Sequence, residues 1–292
     1  MEPGLFIGLA GLDIVYTQDA LPAENQKSKT NRYETYVGGP AANAAITYAL
    51  LGGEATLITC IGDSDLGKTI RRDISENYGV TLLDCIAGQS VLPCVSSVSI
   101  NALSGSRTIW SGQQIFQPVI GTQAREKLAH AGFCLFDCSL PEISIELIKL
   151  SKDLTKTIVL DMGSWKPDSA SFMSLATEVI ASSACIPPPP YPPVMEAAAH
   201  YGVLRSALTN GEDAILWRDG DHQGEIQPPA TRAADTLGAG DVFHGAYCFF
   251  RFHEGYPFDI ALSKAAGVAA KSVEYPGPRK GVEMFIKNLS TP

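Results

Sequence analysis

The chain has 292 residues, 45% of them hydrophobic and only 18% charged, with a formal net charge of -9. That is enough apolar material for one large α/β core, and the acidic balance excludes a broad basic surface for nucleic acid. No apolar run approaches the roughly 18 residues of a membrane span. Seven cysteines without a C-x-x-C pair, and no secretory signal, point to buried reduced thiols in a cytoplasmic protein.

In chain order, the apolar run at residues 5–10 predicts a first buried strand, and Gly11-Leu12-Asp13 a turn after it. Residues 41–51, rich in alanine, predict a helix stopped by Gly52-Gly53. A strand at 55–61 and a helix at 66–78 ending at Gly79 follow. Further strands are expected at 133–137, 157–161, 179–181 and 204–209, and helices near 141–152, 168–177 and 194–201. Two last helices are expected at roughly 239–253 and 257–273. This alternation predicts an α/β fold in one domain spanning 1–292, with a doubly wound, mostly parallel sheet flanked by helices. Segments 14–37 and 90–112 break the pattern, being polar and β-rich with no helix between; alone they read as surface hairpins. The proline run at 186–193 reads as a stiff extended loop.

The most telling stretch is Asp235-Thr-Leu-Gly-Ala-Gly-Asp241, which opens an apolar helix. Helix N-termini present unpaired N–H groups and the positive end of the macrodipole, which suits an anion. Gly238, Ala239 and Gly240 let backbone approach a phosphate closely. Asp241 then stands beside the anion as a base or near a metal, and the combination suggests phosphoryl transfer to a hydroxyl. Taken alone, such a turn reads more readily as a pair of helix caps.

The full block resembles the C-terminal signature of the PfkB (ribokinase-like) carbohydrate kinases, D-T-x-G-A-G-D. Val37-Gly-Gly-Pro-Ala-Ala-Asn43 resembles their N-terminal signature of a glycine pair followed closely by asparagine. The resemblance covers essentially the whole chain. It implies a ribokinase-like fold in which 14–37 and 90–112 form a small β-sheet lid over a sugar. It also implies ATP and Mg2+ as cofactors, with a sugar and ATP as the small-molecule partners and no nucleic acid or membrane. A homodimer is a further expectation.

On that reading Asp241 is the catalytic base, and the amides of Gly238, Ala239 and Gly240 hold the transferring phosphoryl. Asp13, at the carboxyl edge of the sheet, and Gly38, Gly39 and Asn43 match the sugar-binding pattern. Without the motif, Asn43 is as readily a buried helix residue. Arg107, in the second lid segment, is a candidate for an anionic group of the substrate, or else an exposed arginine with no partner. Thr209 and Gly211 resemble the T-x-G nucleotide loop, where a plain β-turn is the alternative. Asp235 matches a position associated with a monovalent cation such as K+, and a turn role is the alternative. His244 is expected to pack or bond to backbone, and Arg279 to lie in a loop near the ligand. One departure stands out: the family's N-x-x-E magnesium motif has neither Asn nor Glu in residues 180–185. The resulting expectation is an ATP-dependent sugar kinase acting on a primary hydroxyl. A nucleoside kinase of the same fold and a non-catalytic sensor are the alternatives.

Overall fold

The structure, a computed structural model, describes residues 3–30, 32–103, 107–112 and 115–289. Its strands are β1 (Gly4–Ile7), β2 (Gly11–Gln18), β3 (Arg32–Gly38), β4 (Ala55–Thr59), β5 (Thr81–Asp84), β6 (Cys94–Asn101), β7 (Arg107–Ser111), β8 (Phe133–Phe136), β9 (Thr157–Met162), β10 (Glu178–Ser182), β11 (Arg205–Asn210), β12 (Asp213–Asp219) and β13 (His222–Ile226). Its helices are α1 (Pro40–Leu50), α2 (Asp65–Arg72), α3 (Thr122–His130), α4 (Pro141–Asp153), α5 (Ser169–Met173), α6 (Val194–His200), α7 (Ala239–Cys248), α8 (Phe258–Ser272) and α9 (Lys280–Leu289). Wider π-type turns extend α2 over Asp73–Asn77 and α7 over Phe249–His253.

Nine strands form one sheet in the order β13-β12-β11-β10-β9-β8-β1-β4-β5. The pairings from β11 through to β5 are parallel, and β12 and β13 add an antiparallel hairpin at one edge. Side-chain alternation along the strands divides the core into two layers. Phe6, Leu57, Leu135, Val159, Ile180 and Ala207 pack with α1, α7 and α8, whereas Leu5, Ile7, Ile58, Phe136, Leu160 and Val179 pack with α4, α5 and α6. The expected doubly wound architecture is therefore present. The chain leaves β1 for β4 and β5, then returns to β8 on the other flank of β1, so a crevice opens beyond the carboxyl ends of β1 and β8.

A second sheet, β3-β2-β6-β7, is built from the two segments that interrupt the α/β pattern. Residue 31 of the first segment and residues 104–106 of the second lie outside the described residues. The expected turn at Gly11–Asp13 is instead the start of β2, which pairs with β3 and β6. The alternation Leu12, Ile14, Tyr16 against Asp13, Val15, Thr17 suits a two-faced strand. Gly11 is where β2 presses on β6, since a Cβ there would lie 2.6 Å from the Cys94 carbonyl. The first strand also ends at Ile7 rather than residue 10, and α5 is shorter than the 168–177 expected. Strand β5, helices α3 and α9, and the β12–β13 hairpin have no counterpart among the sequence expectations. All seven cysteines are free and buried. Among the described residues no helix is long and apolar enough to cross a membrane.

Helices α1 and α7 lie against each other with almost no side chain between them. A Cβ on Gly245 would fall 2.3 Å from the Ala44 carbonyl oxygen and 2.8 Å from the Thr47 Cβ. Gly245→Ala gains up to about 1 kcal/mol of helix propensity, but the clash is with backbone and no rotamer relieves it. Overpacking of this kind costs about 1–3 kcal/mol and prevails. Denaturant unfolding of Gly245→Ala is therefore expected to show a lower midpoint with an unchanged slope.

Candidate active site

The close crossing of α1 and α7 has a direct consequence one turn upstream. Asn43 on α1 and Asp241 in the first turn of α7 meet, the Asn43 Nδ2 donating to the Asp241 Oδ2 at 2.6 Å. Asn43 is 3% exposed, and its Oδ1 has no hydrogen-bond partner among the described residues. A buried acceptor without a donor costs free energy. Asp241 is half-buried, and its pKa is pushed up to about 7, first by burial and then by the nearby Asp161 charge. The Asn43 bond and His244 oppose that rise.

Gly238 is the N-cap of α7 in a left-handed conformation, φ 71° and ψ 8°, which glycine adopts without strain. Pro278 packs on it, 3.0 Å from where a Cβ would stand, whereas around Gly240 a Cβ would meet nothing within 4 Å. The first helical turn of α7 thus faces open space at Gly240, with N–H groups that have no intrahelical acceptor. Asp235 pins the turn from behind. Its Oδ1 accepts from the Leu237 amide and its Oδ2 from the Gly277 amide, both at 2.9 Å. The turn role is thus realised in this carboxylate.

On the acceptor side, Asp13 projects from β2 over Gly38, where a Cβ would lie 2.0 Å from its Oδ2. Burial raises the Asp13 pKa, while a bond with Ser96 and the charge of Arg279 lower it. Ser96 and Ser111 face each other at 3.0 Å on the same side of the small sheet. Gly39 has φ 99° and caps α1, with its Cβ position 2.4 Å from the Leu9 carbonyl. Both glycines are required by close approach, and between them they bring Asp13 and Asn43 to one crevice.

Two carboxylates absent from the sequence-based site stand in the same crevice. Asp137, just past β8, accepts from the amides of Leu9 at 2.8 Å, Ala41 at 3.0 Å and Ser139 at 2.7 Å, so it ties β1, α1 and its own turn together. Asp161, near the end of β9, is 5% exposed, and burial raises its pKa. Lys166 donates to the Asp137 carbonyl at 2.7 Å and the Ser139 hydroxyl at 3.1 Å. The signal that would have found both carboxylates is their place as the last residues of two predicted apolar strands.

The remaining candidates divide. Arg107 reaches from β7 to the Thr236 carbonyl at 3.0 Å, so it joins the small sheet to the glycine turn. Arg279 is 9% exposed and donates to the Val37 carbonyl at 2.9 Å, with its guanidinium 5.6 Å from the Tyr78 ring centre. It links the Pro278 loop to the segment before Gly38. Thr209 and Gly211 lie apart from this cluster, at the end of β11 and in the two-residue turn to β12. The Thr209 hydroxyl bonds the Ala181 carbonyl at 3.3 Å, and Gly211 has φ 59°. Ser183, where N-x-x-E is lacking, bonds Asn210 of that hairpin at 2.5 Å. His244 bonds backbone, as expected.

A family model described as pfkB family carbohydrate kinase matches residues 4–83 and 193–284, more than half of the chain. Ribokinase of Bacillus subtilis is 24% identical over 276 residues, covering 91% of this chain and 91% of that protein. Deoxyribokinase of Salmonella typhi is 24% identical over 307 aligned positions, covering 97% of each. The structure of Arabidopsis thaliana ribokinase complexed with ribose and ATP superposes with a TM-score of 0.82 at 21% identity, covering 100% of this chain and 99% of that one, a likeness of fold. The matched residues include Asp13, the Gly38–Asn43 stretch and the whole turn from Asp235 to Asp241. The chain belongs to the pfkB family of carbohydrate kinases, phosphotransferases that act on a sugar hydroxyl.

Proposed function

We propose that this chain transfers the γ-phosphoryl group of ATP to a primary hydroxyl of a small carbohydrate, with Asp241 as the general base. The observation that carries this reading is the Asn43–Asp241 pair. A carboxylate at a helix N-terminus is held by one amide nitrogen, while the buried oxygen of the same amide lacks a donor. A sugar hydroxyl brought to Asp241 would meet a carboxylate already oriented by the Asn43 amide.

In the reaction, Asp241 takes the proton of the attacking hydroxyl, a bond forms from that oxygen to the γ-phosphorus, and the bond to the β-phosphate oxygen breaks. The Gly238 and Gly240 amides would meet negative charge on the phosphoryl oxygens, whereas the Ala239 amide, expected to join them, donates to the Thr236 carbonyl at 3.3 Å and would have to leave it to do so. Asp13, with Ser96 beside it, suits the remaining hydroxyls of the sugar, and Gly38 leaves room for them. Thr209 and Gly211, on the β11–β12 hairpin, are placed for the nucleotide rather than the sugar. Among the described residues no group of three or more His, Cys, Asp or Glu is gathered for a metal. Magnesium would enter with ATP as the counter-ion of its phosphates, and no step is assigned to it. Nor is any step assigned to a monovalent cation at Asp235, whose two oxygens hold amides. The small sheet, fastened to the glycine turn through Arg107, acts as a lid that keeps water from the transferring phosphoryl.

Asp241→Asn is expected to lower kcat about 10²–10⁴-fold, while calorimetry finds sugar affinity within a few-fold of wild type. Near-normal kcat would sink the assignment. The panel for ADP release should contain sugars, sugar acids and nucleosides, and stimulation by nucleosides alone would turn the acceptor reading to a nucleoside.

The pH dependence has a definite sign. The base must be ionised, so kcat is expected to rise with pH through about 7, the value to which Asp241 is raised. Stability runs the other way. A carboxyl whose folded value is raised favours folding at low pH and loses that contribution as pH climbs from its unfolded value towards about 7. Asp241→Asn is therefore expected to melt no lower than wild type at pH above 7, a readout that separates lost chemistry from lost fold.

A further inference from the structure

We propose that His244 is a positioning residue, held as an imidazolium by two backbone carbonyls, and that its ion pair with Asp161 neutralises the charge that either partner alone would place beside Asp241. The proposal rests on the reading of Asp241 as the base. His244 is 4% exposed and lies three residues beyond Asp241, on the adjoining turn of α7. Its Nδ1 is 2.7 Å from the Gly240 carbonyl oxygen and its Nε2 is 3.2 Å from the Ile180 carbonyl oxygen. Carbonyl oxygens only accept, and a neutral imidazole has one N–H, so satisfying both contacts requires both nitrogens to be protonated.

The resulting charge has a partner. Asp161 Oδ2 lies 3.4 Å from the His244 Nδ1 and has no hydrogen-bond partner among the described residues, although the carboxyl is almost wholly buried. A buried carboxylate without a counter-charge is strongly disfavoured, and an adjacent imidazolium relieves that. The pair sits on β9 and α7, with Ile180 of β10 closing it from the third side; Asp161 and Ile180 are register partners.

The charged and titratable groups facing this pair are few. Asp137 past β8 and Asp241 on α7 are the other acids, and Lys166 in the loop after β9 is the other cation. Cys138, Cys185 and Cys248 also lie near Asp161, and burial pushes all three thiols up, so they stay neutral. Asp241 therefore feels a pair whose net charge is zero. Removing one member leaves a net charge of known sign beside the base.

The test is a double-mutant cycle read on the pH limb of kcat, with a direct observation of the ring. His244→Gln leaves Asp161 unpaired, and the limb is expected to move to higher pH by about one unit, the low end of the effect of a nearby charge. Asp161→Asn leaves the cation unpaired, and the limb is expected to move by a similar amount to lower pH. The double variant is expected to return near the wild-type limb. A merely structural role would slow all three variants without shifts of opposite sign. Independently, ¹⁵N resonances of the wild-type protein at pH about 8, where an ordinary histidine is mostly neutral, are expected to show both His244 ring nitrogens protonated. A neutral ring there, or limbs that move the same way in both single variants, overturns the proposal. The ring measurement needs neither turnover nor a variant. Full activity in Asp241→Asn would instead remove the base reading and leave the ring result standing.

Discussion

The site depends on how closely two helix backbones approach. Gly245 permits α7 to lie on the Ala44 carbonyl of α1, and a side chain there would hold the helices apart. One turn nearer the N-terminus, that spacing places Asn43 within 2.6 Å of Asp241. The flanking alanines serve the same end, since Ala41, Ala42, Ala44 and Ala45 are all fully buried. Small residues on α1 are thus a requirement of geometry, and the polar Asn43 is tolerated among them because its amide has a carboxylate to bind. The same approach sets both helix N-termini, Gly39 and Gly238, at the carboxyl edge of the sheet. Two positive helix ends therefore converge on one crevice.

That convergence explains how three carboxylates share one crevice. Asp137 is stabilised by three amides, including that of Ala41 at the start of α1. Asp161 faces the His244 ring. Asp241 has one amide nitrogen and the end of α7 to offset its burial and the Asp161 charge. Its proton affinity rises accordingly. On the proposed reading, this raised carboxyl is the one that receives the proton.

The residues legible in the sequence are those that glycine marks. Gly38, Gly39 and Gly238 stand where backbone must turn or approach closely, and they flank Asn43 and Asp241. The α/β alternation likewise gave the parallel sheet from β11 to β4. What escaped was decided by tertiary pairing. Asp13 looked like a turn residue because β2 finds its partners, β3 and β6, far along the chain. The β12–β13 hairpin has weak apolar alternation and is stabilised at the sheet edge by pairing with β11. Asp137 and Asp161 ended apolar strands without any motif to flag them, and Ser96 gained its place only when β6 lay beside β2. Arg279 was visible as a loop arginine, but its burial against Tyr78 and the Val37 carbonyl follows from how α9 packs.

These long-range contacts also fix how the small sheet relates to the large one. Arg107 of β7 bonds the Thr236 carbonyl, and Tyr36 of β3 lies over Gly277, where a Cβ would meet its ring at 2.6 Å. Gly277 in turn donates to Asp235, which holds the glycine turn. The small sheet is thus fastened to the glycine turn at two points, one on each outer strand, while Asp13 hangs from β2 between them. A displacement of that sheet would move Asp13 and strain the turn at Asp235 together. The position of Asp13 and the shape of the glycine turn are in this way mechanically linked, through bonds that lie outside either motif.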